Sequence, residues 1–374
     1  MDSKHKILNT LTLKVPLNRT KLDSLTGLRF YLAMFVFFHH GIVQAHLELG
    51  KQALNPKLLD ALHYTFNGAF AVSTFFVLSG FVMWYSYSER TWTITEFLGN
   101  RFARLFPVYL LGILIVLLRW NKLVAEFCVT NVEAIKRLAL STLMLQSWGF
   151  DWRATQMFNG PGWTLSVEMF FYVTFPLLFW IHKKSERWFL VTCTSIVILT
   201  IPNSILRFSE DLPFCIQHWG YFCLGLLLAR AWQVGLRFNV NTVPVALLLT
   251  FGLNLSRFIN GNIISLLVPA LIIGSLATAD MNERSSPLFS NKWIVLGGEI
   301  SYALYILHAP IQTIVYSIFF RSGIFLLHVD NIKLKIAYVA ICLIATLFAS
   351  YLTWRFIEIP ARRQIVNWLK SSTA

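Results

Sequence analysis

Charge is the scarcest feature of this chain. Only 13% of its 374 residues are Asp, Glu, Lys or Arg, where a soluble domain carries about 25%. With 56% hydrophobic residues and a mean hydropathy of +0.59, an ordinary soluble domain is excluded. The composition predicts an all-α polytopic membrane protein, since a helix satisfies its own backbone within the bilayer. Cysteine is sparse: Cys128, Cys193, Cys215, Cys223 and Cys342 show no CxxC or zinc spacing. Most lie in apolar runs and read as small packing residues, so no metal is expected. There is no Gly-rich phosphate loop and no Ser-His-Asp order, which leaves P-loop and ordinary serine-hydrolase chemistry without support. No internal repeat is visible, which weakens transporter folds built from inverted repeats. The first twenty residues are polar and basic and lack the apolar core of a cleavable signal, so the first helix is expected to be an uncleaved anchor.

What is present is apolar, aromatic and basic. Thirteen Trp and twelve Tyr suit interfacial belts. The net charge of +14 is scattered at helix ends, which fits membrane orientation and anionic headgroups better than nucleic acid. The apolar runs predict about ten transmembrane helices near 25–47, 64–87, 105–119, 163–181, 188–205, 214–232, 243–255, 263–279, 294–320 and 336–356. Residues 132–148 form an amphipathic piece too polar to span, expected at the interface. An even number puts both termini on one side. With the N-terminus inside, inner segments carry 19 Lys and Arg and outer ones 12, which favours cytoplasmic termini. The expected organisation is a tail over 1–24, a transmembrane domain over 25–363 and a tail over 364–374.

The first apolar run contains an arginine and two histidines, which are expensive in a bilayer and often functional. Arg29 and His40 are eleven residues apart, about three helical turns, so they share one face roughly 16 Å apart along the axis. His40 could take a proton from a hydroxyl or be acylated itself. His39 lies to the side of that face; packing between helices is the plainer reading for either histidine. Arg101 and Arg104 precede the third run on the same side as Arg29. Three guanidinium groups around one mouth could hold phosphate, and Arg101 and Arg104 equally suit positive-inside anchoring. Glu168, one turn into the fourth run and expected on the outer side, could orient an imidazolium or bind a sugar hydroxyl. It also suits a helix N-terminus. Trp163 could stack on a sugar or belong to the aromatic belt. Ser301, Tyr305 and His308 follow i, i+4, i+7, with Tyr302 beside them, a polar stripe expected to line a site.

These segments resemble acyltransferase family 3, polytopic membrane enzymes many of which O-acetylate bacterial surface glycans. The resemblance rests on Arg29 to His40, FFVLSGF at 75–81, RFARLFPVY at 101–109, WTLSVEMFFYVTFP at 163–176 and ISYALYILHAP at 300–310. It runs from about residue 25 to 363. Thr26 stands where many members carry Asp, and a hydroxyl can cap a helix as Asp does. The resemblance implies ten helices in a bacterial inner membrane and cytoplasmic acetyl-CoA as acyl donor. It implies an outer-face glycan acceptor, such as lipopolysaccharide O-antigen, capsule or exopolysaccharide. It also implies roles. Arg29, Arg101 and Arg104 would hold the donor, and His40, with Arg29 and Glu168, would carry the chemistry. Trp163, Ser301, Tyr302, Tyr305 and His308 would face the acceptor. The competing readings are a transporter or flippase of a lipid-linked glycan, which would not consume acyl-CoA, and a non-catalytic sensor or scaffold.

Overall fold

The computed structural model describes residues 20–48, 66, 68–127, 129–149, 156–200, 212–238, 262–321 and 332–373. The expected helix over 243–255, the tail before residue 20 and the loop with Lys51, Lys57 and Asp60 lie outside the described residues. The ordered elements are helical, with no strand among the described residues. In chain order they are α1 (Asp23–Glu48), α2 (Gly68–Tyr87), α3 (Ile94–Leu117), α4 (Trp120–Glu126) and α5 (Asn131–Thr142). A 3₁₀ turn (Gly160–Gly162) leads into α6 (Trp163–Lys184). Then come α7 (Glu186–Thr200), α8 (Phe214–Gln217), α9 (Trp219–Gln233), α10 (Asn262–Met281), α11 (Pro287–Ser290), α12 (Lys292–Arg321) and α13 (Ile332–Thr353). A π turn (Trp354–Glu358) runs into α14 (Ile359–Thr373). Among the described residues, five helical stretches are long and apolar enough to cross a membrane, and a polytopic membrane protein follows. The 26-residue α1 is apolar but carries Arg29, His39 and His40.

The interior is rich in aromatic side chains: Trp84, Phe81, Phe97, Phe171, Phe175 and Phe222 are fully buried. Helix α2 packs on α9, and α12 on α1 and α13. Two contacts are possible only with glycine. A Cβ on Gly80 would sit 2.1 Å from the Phe222 carbonyl oxygen, and one on Gly298 would sit 2.0 Å from that of Thr26. Backbones therefore touch at the α2–α9 and α1–α12 crossings, as small residues permit in membranes. At the Asp23 end of α1, called lower below, the Asp280 carboxylate accepts from Ser24 N and Oγ at 2.9 and 2.5 Å. That bond ties α10 to the start of α1.

Several boundaries differ from expectation. Helix α3 starts at Ile94, eleven residues early, because Thr93 caps it by accepting from Glu96 N. The run at 214–232 breaks at His218 into α8 and α9. The segment after 363, expected to be a tail, is the amphipathic α14, which packs on α3 with Leu369 against Gly99. The largest difference concerns the described residues between α5 and α6, 143–149 and 156–162, since 132–148 is expected at the interface. After α5 the chain descends. Gln146 Nε2 donates to Tyr109 Oη at 2.8 Å, and Asn159 Nδ2 donates to Ile306 O at 3.0 Å. Both partners lie midway along their helices. Non-helical backbone at that depth needs protein partners. They are supplied: Ser147 N donates to Ser166 Oγ, Ser147 Oγ to Trp163 O, and Trp148 Nε1 to Ser166 O, each at 3.0 Å. Helix α6 therefore begins in the middle of the bundle, where Trp163 meets Phe76 of α2.

Candidate active site

A cleft of about 810 Å³, measured out to its mouth, occupies the lower half of the bundle between α1, α2, α3, α6 and α12. Arg29, Arg101, Arg104 and Glu168 line it, with Tyr172, Tyr302 and Tyr305. The three arginines expected around one mouth do come together. Arg101 is fixed most firmly: its Nη2 donates to Tyr87 Oη at 2.8 Å, and its guanidinium lies 5.0 Å from the Tyr87 ring centroid. Phe97 and Tyr172 each lie 5.9 Å away. Such contacts stabilise a cation by roughly 0.5–2 kcal/mol when partly desolvated.

Glu168 is not where the sequence put it. Because α6 starts deep in the bundle, Glu168 lies lower than expected, among the arginines. Its electrostatic neighbours are Arg104, Arg29 and Arg101, and Ser79 donates to its carboxylate. It is not beside His40, whose electrostatic neighbours are His308 and His39. Glu168 therefore neighbours guanidinium groups rather than an imidazolium. Trp163 also differs from expectation. Its ring sits in an aromatic cluster with Phe76, Phe214 and His218, centroids 6.1, 5.0 and 5.2 Å away.

Ser301 and Tyr302 line the cleft, but both hydroxyls are committed to backbone. Ser301 Oγ donates to Gly298 O at 2.7 Å, and Tyr302 Oη donates to Leu105 O. Tyr305 closes the top of the cleft, and Thr164 bonds its hydroxyl. Directly above is a histidine pair. His308, fully buried, lies with its ring 6.0 Å from that of Tyr305. His40 Nδ1 is 2.8 Å from His308 Nε2, and the rings are nearly parallel, 12° apart. His308 Nδ1 is 2.7 Å from Tyr305 O.

Donor and acceptor rules fix the protons of this chain. A carbonyl only accepts, so His308 Nδ1 carries hydrogen; the neutral ring then has a lone pair on Nε2. His40 Nδ1 must donate to that lone pair. The remaining nitrogen, His40 Nε2, is left as an unprotonated base. His39 has a different partner, with Nδ1 3.0 Å from Phe66 O.

Some residues at the cleft carried no usable signal in the sequence. Glu358, in the π turn, has Arg104 and Arg362 as electrostatic neighbours, and Arg362 neighbours Arg104 and Arg101. Both lie past the last apolar run and join the mouth because the helix continues through the π turn into α14, which packs on α3. Tyr172, one turn after Glu168 on α6, could have been found by helical spacing. Among the described residues no cluster of His, Cys, Asp or Glu could hold a metal ion.

A family model described as an acyltransferase domain matches residues 22–355. The acyltransferase MdmB of Streptomyces mycarofaciens is 30% identical over 316 residues, covering 79% of this chain and 80% of that protein. The exopolysaccharide production protein ExoZ of Rhizobium meliloti is 26% identical over 56% of this chain and 73% of its own length. The O-acetyltransferase OatA of Staphylococcus aureus is 24% identical over 92% of this chain but only 57% of its own length. No solved structure matches.

Proposed function

The chain belongs to the acyltransferase family matched over residues 22–355 and is a membrane O-acyltransferase, and we propose that it moves an acetyl group from acetyl-CoA to a sugar hydroxyl. The acceptor is a surface glycan, and the protein sits in the bacterial inner membrane, with about ten spans and both termini in the cytoplasm. The relatives support the reaction class: one is named an O-acetyltransferase and one an exopolysaccharide production protein. The observation that carries the reading is a juxtaposition. An arginine-lined cleft rises to Tyr305, which caps it, and the His40–His308 pair stands on the far side of that ring.

The chemistry follows from the residues. Arg29, Arg101 and Arg104 bind the CoA phosphates at the cytoplasmic mouth, where fixed guanidinium groups can make paired hydrogen bonds. Glu168 and Glu358 hold that cluster apart and aimed. The pantetheine arm lies along the apolar wall formed by Val72 and Phe75 and brings the thioester to the top of the cleft. His40 Nε2 takes the proton of the acceptor hydroxyl, whose oxygen attacks the thioester carbonyl. The C–S bond breaks and the thiolate leaves with the proton held by His40. As His40 becomes cationic, His308 Nε2 accepts more strongly from its Nδ1–H. The charge is thereby stabilised without a buried carboxylate. Ser301, Tyr302 and Tyr305 shape the cleft wall that the acyl group passes.

Membranes holding the protein, labelled acetyl-CoA and host glycan provide the test. Base-labile label in glycan, and a KM for acetyl-CoA raised about tenfold by Arg104→Gln, are expected for loss of one charge-assisted contact. If acetyl-CoA is not consumed in the presence of glycan, the transporter reading replaces this one.

A further inference from the structure

A second cleft, about 760 Å³ out to its mouth, opens beside the upper half of α12, against α3, α4 and residues 156–160. One side is apolar: Leu118 and Ile314 line it and are also exposed on the outer surface of the bundle. Leu118 caps α3 and Ile314 lies about two turns inside the end of α12, both helices apolar enough to span a membrane, and we take this side as the one facing lipid. The other side is polar, with Arg119, Glu126, Gln156 and Asn159.

Asn159 is the unusual residue. It is 6% exposed, and its Nδ2 donates to Ile306 O at 3.0 Å. Its Oδ1 is buried with no hydrogen-bond partner. A buried acceptor left without a donor is costly, and native structures rarely carry one without a reason. Its backbone is also strained, with φ at +132°, a region that suits glycine. An asparagine held there against strain, with a free lone pair in a cleft, marks a place for a donor from outside the chain. The position is apt. Asn159 and Gly160 line this cleft, and Thr164, one turn on, lines the arginine cleft.

We propose that this cleft binds the sugar head of a lipid-anchored glycan. A sugar hydroxyl donates to Asn159 Oδ1, and the lipid chain lies along Leu118 and Ile314. A sugar offers donors and acceptors together, which suits the mixed set of Arg119, Glu126 and Gln156. The proposal rests on the acyltransferase reading and names the form in which the acceptor arrives.

The test uses an octyl glucoside carrying a diazirine in its alkyl chain, with the full-length protein in lipid nanodiscs and mass spectrometry of the labelled peptides. Labelling is expected at the end of α3 and on α12, near Leu118 and Ile314, competed by plain octyl glucoside. It should fall about tenfold in Asn159→Leu. Asn159→Gly relieves the backbone strain yet lacks both Oδ1 and the Nδ2 bond to Ile306 O, so it should lose labelling while its circular dichroism shows the helices still folded. Equal labelling of wild type and either variant would overturn the proposal. So would equal labelling by the same alkyl diazirine without a sugar, since any lipid chain would then fill the cleft. Crosslinking needs no turnover, so its failure would leave the acetyl-CoA assay of the acyltransferase reading unaffected.

Discussion

At the scale of single residues, the decisive pair is His40 with His308. The link from Tyr305 O through His308 to His40 sets which nitrogen of His40 is basic. A general base contributes about 10²–10⁴ in rate, so His40→Ala should cut transfer by that much with the protein still inserted and folded. His308 acts through His40, so its variants should separate position from bulk. His308→Phe fills the space but offers no lone pair, and kcat should fall at least about tenfold. His308→Gln can still accept from His40 Nδ1–H and should recover part of that loss. Equal kcat for the two would mean that His308 only packs. Of this arrangement, the Arg29–His40 register was legible, because helical periodicity is local and both lie in one unbroken run. The partnership of His40 with His308 was not, since they are 268 residues apart in sequence and nothing in either run specifies the neighbour.

At the scale of elements, the position of Glu168 shows what local reading misses. Its helix was recognised from the apolar run, and its start at Trp163 was right. Its depth was wrong, because depth depends on the descent of residues 143–149 and 156–162. That descent is held by long-range bonds from Gln146, Ser147, Trp148 and Asn159. Breaking one should act on the element as a whole. Gln146→Leu removes donors to Tyr109 Oη and Gly162 O, which are 2.8 and 3.1 Å away. It leaves a buried carbonyl unpaired and should cost about 1–3 kcal/mol, read as a lower melting temperature in detergent. The helix crossings make a sharper case. A side chain on Gly298 would meet the Thr26 carbonyl oxygen, so Gly298→Val should push α1 from α12. Overpacking of that kind costs about 1–3 kcal/mol, and it should separate His40 from His308. The expected result is lost transfer together with a lower melting temperature; unchanged values would contradict this helix contact.

At the scale of the whole molecule, fold class and family were legible because both are written along the chain. Scarce charge marks the bilayer, and five motifs in order mark the family. The mouth was only half legible. Arg101 and Arg104 lie in a motif, whereas Arg362 and Glu358 follow the last apolar run and reach the cleft through the packing of α14 on α3. The topology is open to direct test. In a Cys128→Ser background the other described cysteines are buried, so single exposed cysteines can report sidedness. Lys122→Cys in α4 should react with an impermeant maleimide added outside spheroplasts. Ser371→Cys in α14 should react only after lysis. Reaction of both from one side would overturn the orientation on which the donor path depends.

The central claim is that one path joins an arginine mouth to the base at His40. It is tested most directly by transfer of label from radiolabelled acetyl-CoA into glycan. Membranes with wild-type protein, His40→Ala or Arg29→Ala would be compared at equal protein levels. The account predicts label in glycan with wild type, a KM for acetyl-CoA raised about tenfold in Arg29→Ala, and no label above background in His40→Ala. Label in glycan from His40→Ala at the wild-type rate would contradict it, since the path would then end somewhere other than this histidine.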